Sequence, residues 1–123
     1  MRSTRSVVVA SAVVDFVLLL VFVLIGRASH GEDVRGFLVT LWPFAVGLLL
    51  GWLIARAWRT PRRIVWTGVI VWASTAAVGV LLRLVSQQGV QLSFVIVTVV
   101  VLGAFLLGWR ALSSLVIRLL RGT

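Results

Sequence analysis

The stretch VVVASAVVDFVLLLVFVLIG, at residues 7–26, is twenty residues long and contains one ionisable side chain, Asp15. A transmembrane helix needs about 20 mainly apolar residues. Three more stretches of similar length and composition follow, at residues 37–55, 64–82 and 92–109. We therefore expect an all-α membrane protein, an up-down bundle of four transmembrane helices that forms a single membrane domain over residues 1–123.

The composition supports this class and excludes several kinds of chemistry. Hydrophobic residues make up 61% of the chain and its mean hydropathy is +1.16, whereas a soluble domain is about 45–50% apolar. The chain contains no cysteine, which excludes disulfides and thiolate catalysis. It shows no nucleophile–base pair, glycine-rich phosphate loop or metal motif. We therefore expect a protein that is not an enzyme and holds no cofactor or metal.

The arginines predict the orientation in the membrane. All twelve basic residues are arginine, and nine of them fall in the N-terminal tail, around the second connection or in the C-terminal end. The other three are Arg27, Arg35 and Arg83. Because cytoplasmic loops carry the arginine excess, both termini should be cytoplasmic. The use of arginine and no lysine is simply explained by a high-GC bacterial genome, so we expect a plasma membrane. The net charge of +9 then faces anionic lipid head groups and not nucleic acid.

Short connections favour antiparallel neighbours. In the inner turn, over residues 59–63, Thr60 is a plausible N-cap and Pro61 a plausible first residue of the third helix. Beyond Trp109 the last helix should continue as an interfacial extension over residues 110–121. Four polar residues share one face of it and should meet lipid phosphates: Arg110, Ser114, Arg118 and Arg121.

Asp15 needs a physical explanation, because a charge at this depth costs at least about 2.5–3.5 kcal/mol on insertion scales. It lies about 12 Å from the inner edge at 1.5 Å per residue. Ser11, Ser74 and Thr75 are expected at a similar depth, whereas Arg110 is closer to the interface and would have to bend inward. Both a neutral acid bonded to Ser74 or Thr75 and an ion pair fit the sequence.

From this depth we predict that Asp15 faces the bundle interior. We expect it to hydrogen-bond at least one of Ser11, Ser74 and Thr75, rather than Arg83. A residue of this kind either fixes helix register or carries protons.

A second candidate site lies at the outer rim. Arg27 and His30 of the first outer loop could meet Arg83 and Gln87 across the mouth of the bundle and form a small basic vestibule. Solvated loops and arginines that extend to the interface are the simpler interpretation.

Small residues mark the faces on which transmembrane helices pack closely. The simplest interpretation is packing within one bundle, and a sharper one is that Gly47 and Gly51 join two copies of the chain. The packing glycines are Gly47, Gly51, Gly79, Gly103 and Gly108.

The tryptophans divide by depth. Trp42 is expected in the outer interfacial belt, and Trp52 and Trp72 within the bundle. The inner belt should contain Trp58, Trp66 and Trp109.

The chain resembles a family of small four-helix membrane proteins, common in actinobacteria and haloarchaea, catalogued as domain of unknown function three-zero-five-four. The resemblance implies the fold and a location in a bacterial or archaeal plasma membrane, but no activity and no catalytic residue. It is carried by Asp15, Gly26-Arg27, Ser29-His30, Pro43-Phe44, Gly47, Gly51-Trp52, Trp72, Thr75, Gly79, Leu82-Arg83, Ser93-Phe94 and Gly108-Trp109-Arg110.

Two functions fit these observations. The first is a structural or accessory membrane subunit, packed against itself as a homodimer or against a larger membrane complex. The second is a proton-coupled transporter or exporter of small solutes, centred on Asp15.

Overall fold

The computed structural model describes residues 4–27, 34–86 and 92–122. Helix α1 spans Thr4–Arg27, α2 spans Val34–Ala55, α3 spans Val69–Val85 and α4 spans Leu92–Gly122. A π-helical turn, Ile64–Gly68, leads directly into α3. Within these described ranges, four helical segments are long and apolar enough to cross a membrane. The predicted all-α bundle is therefore confirmed, with helices that extend somewhat beyond the apolar stretches.

Helices α2 and α3 make the closest contact, because two glycines of α2 have no side chain to hold them apart. A Cβ atom on Gly47 would lie 2.8 Å from the carbonyl oxygen of Ser74, and one on Gly51 would lie 2.9 Å from Cα of Val71. The Ser74 hydroxyl also donates to the Gly47 carbonyl at 2.8 Å. This face is filled by α3 of the same chain, so the idea that Gly47 and Gly51 join two copies is wrong.

The remaining small residues have different surroundings. A Cβ on Gly79 would collide with the Phe44 ring, and one on Gly103 would lie 3.1 Å from Nε1 of Trp72. Gly108 is exposed and has no neighbour within 4 Å of an added Cβ. The expectation of a packing role for Gly108 is therefore wrong within this chain, because its side of α4 faces outward.

The core contains an aromatic cluster in the half of the bundle away from the termini. The rings of Phe22 and Phe44 lie 5.5 Å apart and those of Phe44 and Phe94 lie 6.0 Å apart, both edge to face. Such pairs add attraction beyond the area they bury. Aliphatic side chains such as Leu19 and Leu102 complete the core.

The turn between α2 and α3 differs from the sequence expectation. The third helical segment begins at Ile64, and its N-cap residue Arg63 makes no side-chain cap bond. The Thr60 hydroxyl lies 2.9 Å from that of Thr67 instead, and the Thr67 hydroxyl donates to the Thr60 carbonyl. Thr60 is therefore not an N-cap and Pro61 does not begin the helix, because these bonds hold the turn as a separate structure before the π-helical turn.

Candidate functional site: a buried ion pair between the first and last helices

Asp15 of α1 and Arg110 of α4 form a buried ion pair. Nη1 of Arg110 lies 2.9 Å from Oδ1 of Asp15, and Nη2 lies 2.7 Å from Oδ2. Both side chains are 0% exposed. Two parallel N–H···O bonds are the strongest arrangement that a guanidinium and a carboxylate can adopt. The pair therefore fixes the relative position of the first and last helices.

Two indole groups complete the surroundings of the carboxylate. Nε1 of Trp52, on α2, donates to Oδ2 at 2.8 Å, and Nε1 of Trp109, on α4, donates to Oδ1 at 2.7 Å. An ionised carboxylate offers about four acceptor positions. Each oxygen of Asp15 thus accepts from one guanidinium nitrogen and one indole, and no strong acceptor position is left over.

The guanidinium of Arg110 is anchored at its other nitrogens by backbone carbonyls. Nε donates to the carbonyl of Pro61 at 2.9 Å, and Nη1 also donates to the carbonyl of Leu106 at 2.9 Å. Its Cζ lies 4.7 Å from the centre of the Trp109 ring, within the range of a cation–π contact. Pro61, which does not begin a helix, contributes a carbonyl that orients the cation.

Gly68 makes room for Arg110 at the end of the π-helical turn. The turn is closed by the N–H of Gly68, which donates to the Arg63 carbonyl at 2.8 Å. A Cβ on Gly68 would lie 2.8 Å from Cδ2 of Leu107 and 3.2 Å from Cδ of Arg110. A larger residue here would push against the stem of the arginine. The backbone of the π-helical turn therefore leaves room for Arg110 to turn inward.

The three predicted partners of Asp15 are not the residues that bind its carboxylate. Ser11 is buried one turn away on α1, whereas Ser74 donates to Gly47 and Thr75 donates to the carbonyl of Val71 at 2.6 Å. Asp15 faces the interior, but its partners differ from the expectation because Ser74 and Thr75 are used in holding α3 to α2 and to itself. Of the two alternatives for Asp15, the structure contains the ion pair.

The sequence places Trp52 within the bundle but does not predict its bond to Asp15. It places Arg110 on lipid phosphates and Trp109 in the interfacial belt, because Trp109 ends the last apolar stretch and Arg110 follows it. A long arginine side chain can reach back by more than a helical turn, so the depth of its Cα does not give the depth of its charge. The signal in the sequence that points to Arg110 is that it follows the inner end of the last span, on the same side of the membrane as the end of the first span nearer to Asp15.

Most of the proposed outer vestibule lies outside the described residues. This holds for His30, for Gln87 and for the side chain of Arg27. In the described part, Cζ of Arg83 lies 4.7 Å from the centre of the Phe94 ring. Arg83 therefore packs onto the aromatic cluster of the core. No group of three or more metal-binding side chains occurs among residues 4–27, 34–86 and 92–122.

Comparison with known proteins gives a family and no activity. Neither a curated protein nor a solved structure matches the chain. The model of a family described as "Protein of unknown function (DUF3054)" matches residues 12–113. The match does not support the description of that family as actinobacterial and haloarchaeal, so this narrower part of the expectation is withdrawn. Asp15 and Arg110 lie inside the matched region, and Arg118 and Arg121 lie beyond it. Since the match covers most of the sequence, the chain belongs to the DUF3054 family of unknown function.

Proposed function

We propose that this protein is a structural or accessory membrane subunit, located in a bacterial plasma membrane, and that it is not an enzyme. In this proposal the Asp15–Arg110 pair has a structural role: it holds the first and last helices in a fixed position. Four donors bind the carboxylate from three side chains, on α2 and α4. The observation that supports the proposal is that each oxygen of the Asp15 carboxylate already accepts two hydrogen bonds.

A proton carrier has to exchange its proton with water or with a substrate. Intramembrane acids of this kind usually face a polar pathway. Asp15 is instead fully buried, and each of its oxygens is already bonded twice. Leaving this arrangement would strand the Arg110 charge in a dry core, at a cost of about 3–5 kcal/mol. These contacts favour a structural role for the pair over proton transport.

The arginine distribution supports a location with both termini in the cytoplasm. In an up-down bundle the N-terminus, the α2–α3 turn and the C-terminus share one end. Arg110 is buried in the ion pair. The exposed arginines at this end among the described residues are Arg5, Arg56, Arg59, Arg62, Arg63, Arg118 and Arg121. The positive-inside rule therefore still favours this end as the cytoplasmic one.

The accessory role is tested by the size of the assembly in its native membrane. Cross-linking before solubilisation in mild detergent should trap the 13.4-kDa chain in a larger complex, with a second copy or a second polypeptide identified by mass spectrometry. Recovery of the uncross-linked chain alone, across a range of cross-linker lengths, would contradict the proposal.

The second candidate is a proton-coupled transporter centred on Asp15. The observation in its favour is that Asp15 lies inside a predicted span and is paired with a buried opposite charge, because ionisable residues within spans often mark transport pathways. Proteoliposomes containing a pH-sensitive dye distinguish the two functions. If the pair has only a structural role, the wild type and the double variant Asp15→Leu/Arg110→Leu should show equal proton flux. Flux that requires Asp15 would favour the transporter.

A further inference from the structure

A basic groove lies at the end of the bundle that holds the termini, between the α2–α3 turn and the last three turns of α4. Its volume is about 600 Å³ and it is open to the surroundings. The groove combines guanidinium groups with hydroxyls: its lining residues are Arg62, Ser113, Ser114, Ile117, Arg118 and Arg121.

The positive charge of this groove is not neutralised from within the described part of the chain. The one acidic side chain among those residues is Asp15, and Arg110 already binds it. Arg62, Arg118 and Arg121 are exposed, and they come from two separate elements. Three guanidinium groups around one cavity therefore form a site for an anion. The planar fork of arginine suits phosphate oxygens in particular.

The length of α4 places this groove at the level of lipid head groups. Its 31 residues extend about 46 Å at 1.5 Å per residue, which exceeds the roughly 30 Å of hydrocarbon in a bilayer. The surplus, about 16 Å, corresponds to the segment after Arg110. Basic pockets at this depth on the cytoplasmic side commonly hold anionic head groups.

The surface beside the groove is apolar. On the same segment of α4, the side chains of Leu112, Leu115, Val116 and Leu119 are exposed. A phospholipid presents a phosphate to the groove and acyl chains to this apolar surface, whereas inorganic phosphate engages the groove alone. The combination therefore favours a lipid over a soluble anion.

From these observations we propose that the groove is a binding site for the phosphate head group of an anionic phospholipid. Arg62 holds the head group from the turn, and Arg118 and Arg121 hold it from α4, while Ser113 and Ser114 donate hydroxyl hydrogen bonds. The site is separate from the Asp15–Arg110 pair and does not depend on the accessory role.

Native mass spectrometry of the full chain in detergent, with phosphatidylglycerol or phosphatidylcholine added, tests this proposal. The wild type should retain one phosphatidylglycerol, and the variant Arg118→Gln/Arg121→Gln should retain at least ten-fold less. The matched control is Arg5→Gln/Arg59→Gln, which removes the same charge from exposed arginines outside the groove. It should bind like the wild type. Equal losses in both variants, or no loss in either, would overturn the proposal.

Two further arms complete the test. Arg62→Gln changes the other wall of the groove and should lower phosphatidylglycerol retention without any change in α4. Inorganic phosphate at the concentration of the lipid should not displace it, and phosphatidylcholine should not be retained. Displacement by inorganic phosphate, or equal retention of phosphatidylcholine, would show that the groove does not select an anionic lipid.

Discussion

Arg110 donates two hydrogen bonds to Asp15 from a position 95 residues further along the chain. The contact crosses the bundle from α4 to α1, and it also includes Trp52 of α2 and the Pro61 carbonyl of the α2–α3 turn. The charge pair thus connects three helices and a turn: Asp15 accepts from Trp52 of α2, and Arg110 of α4 binds Asp15 of α1 and the Pro61 carbonyl.

Removing one member of the pair should be far more damaging than removing both. Asp15→Leu or Arg110→Leu leaves the opposite charge buried and unpaired, which costs about 3–5 kcal/mol of unfolding free energy. The double variant Asp15→Leu/Arg110→Leu should recover part of this loss, limited by the two indole N–H groups left without an acceptor. Unfolding in a fixed detergent, followed by circular dichroism, gives the free energies.

The variant Asp15→Asn tests whether the negative charge of the carboxylate is needed, because asparagine has nearly the same shape. Its amide NH₂ group would point at a donor of Arg110, Trp52 or Trp109, so we expect a loss close to that of Asp15→Leu. If the single losses simply add in the double variant, or if Asn is silent, the carboxylate is not held as the structure describes.

The two indole donors should contribute measurably and separately from packing. Trp52→Phe and Trp109→Phe keep an aromatic ring but remove the Nε1 hydrogen bond to a charged oxygen, at a cost of about 1.5–3 kcal/mol each. Trp58→Phe is the control, since Trp58 is 44% exposed and should change stability little. Thermal unfolding of the three variants side by side checks the order. A Trp58 effect as large as the others would contradict it.

Replacement of glycine by alanine should have opposite effects on stability at positions 47 and 108. Gly47→Ala places a Cβ 2.8 Å from the Ser74 carbonyl oxygen, which forces α2 and α3 apart and costs about 1–3 kcal/mol. Gly108→Ala fills open space on a helix, where alanine is favoured by about 0.5–1 kcal/mol. Midpoints of denaturation report both, and size-exclusion chromatography should show no change in oligomer. Equal effects would mean that α2 and α3 do not touch at Gly47.

The orientation prediction rests on the arginines of the N-terminal tail, the α2–α3 turn and the end of α4. Reporter fusions at the C-terminus should read cytoplasmic, and fusions within residues 31–36 or 87–91 should read external. As a control, the same reporter is placed at the C-terminus and in an outer connection of otherwise identical proteins. A reporter that reads equally on both sides would refute a single orientation.

The sequence predicted the helices well because the length and polarity of a span are constrained by the bilayer itself. It also predicted that Asp15 is interior, since an isolated charge is costly in lipid. It did not predict Arg110 as the partner, because the reach of a flexible side chain is set by tertiary packing. The room for that side chain depends on Gly68 and on a π-helical turn, neither of which a periodic pattern reveals.

Glycine spacing shows the same limit. Gly47 and Gly51 are four residues apart, as are Ala104 and Gly108, and both pairs fit the pattern of small residues at a helix contact. The structure places the first pair against α3 and leaves Gly108 open. Spacing defines a face of a helix, but the rotation of that helix within the bundle decides what the face meets.

The separation of Asp15 and Arg110 also has a consequence for how the protein is made. Translation proceeds at about 5–20 residues per second, so Arg110, 95 residues after Asp15, is added about 5–20 s later. Throughout that interval the first helix carries a carboxylate whose cationic partner has not yet emerged from the ribosome. Until α4 is made, the first helix lacks the contact that offsets the cost of placing Asp15 in the bilayer. We therefore expect the first helix to reach its final position in the bundle only after the last helix has been synthesised.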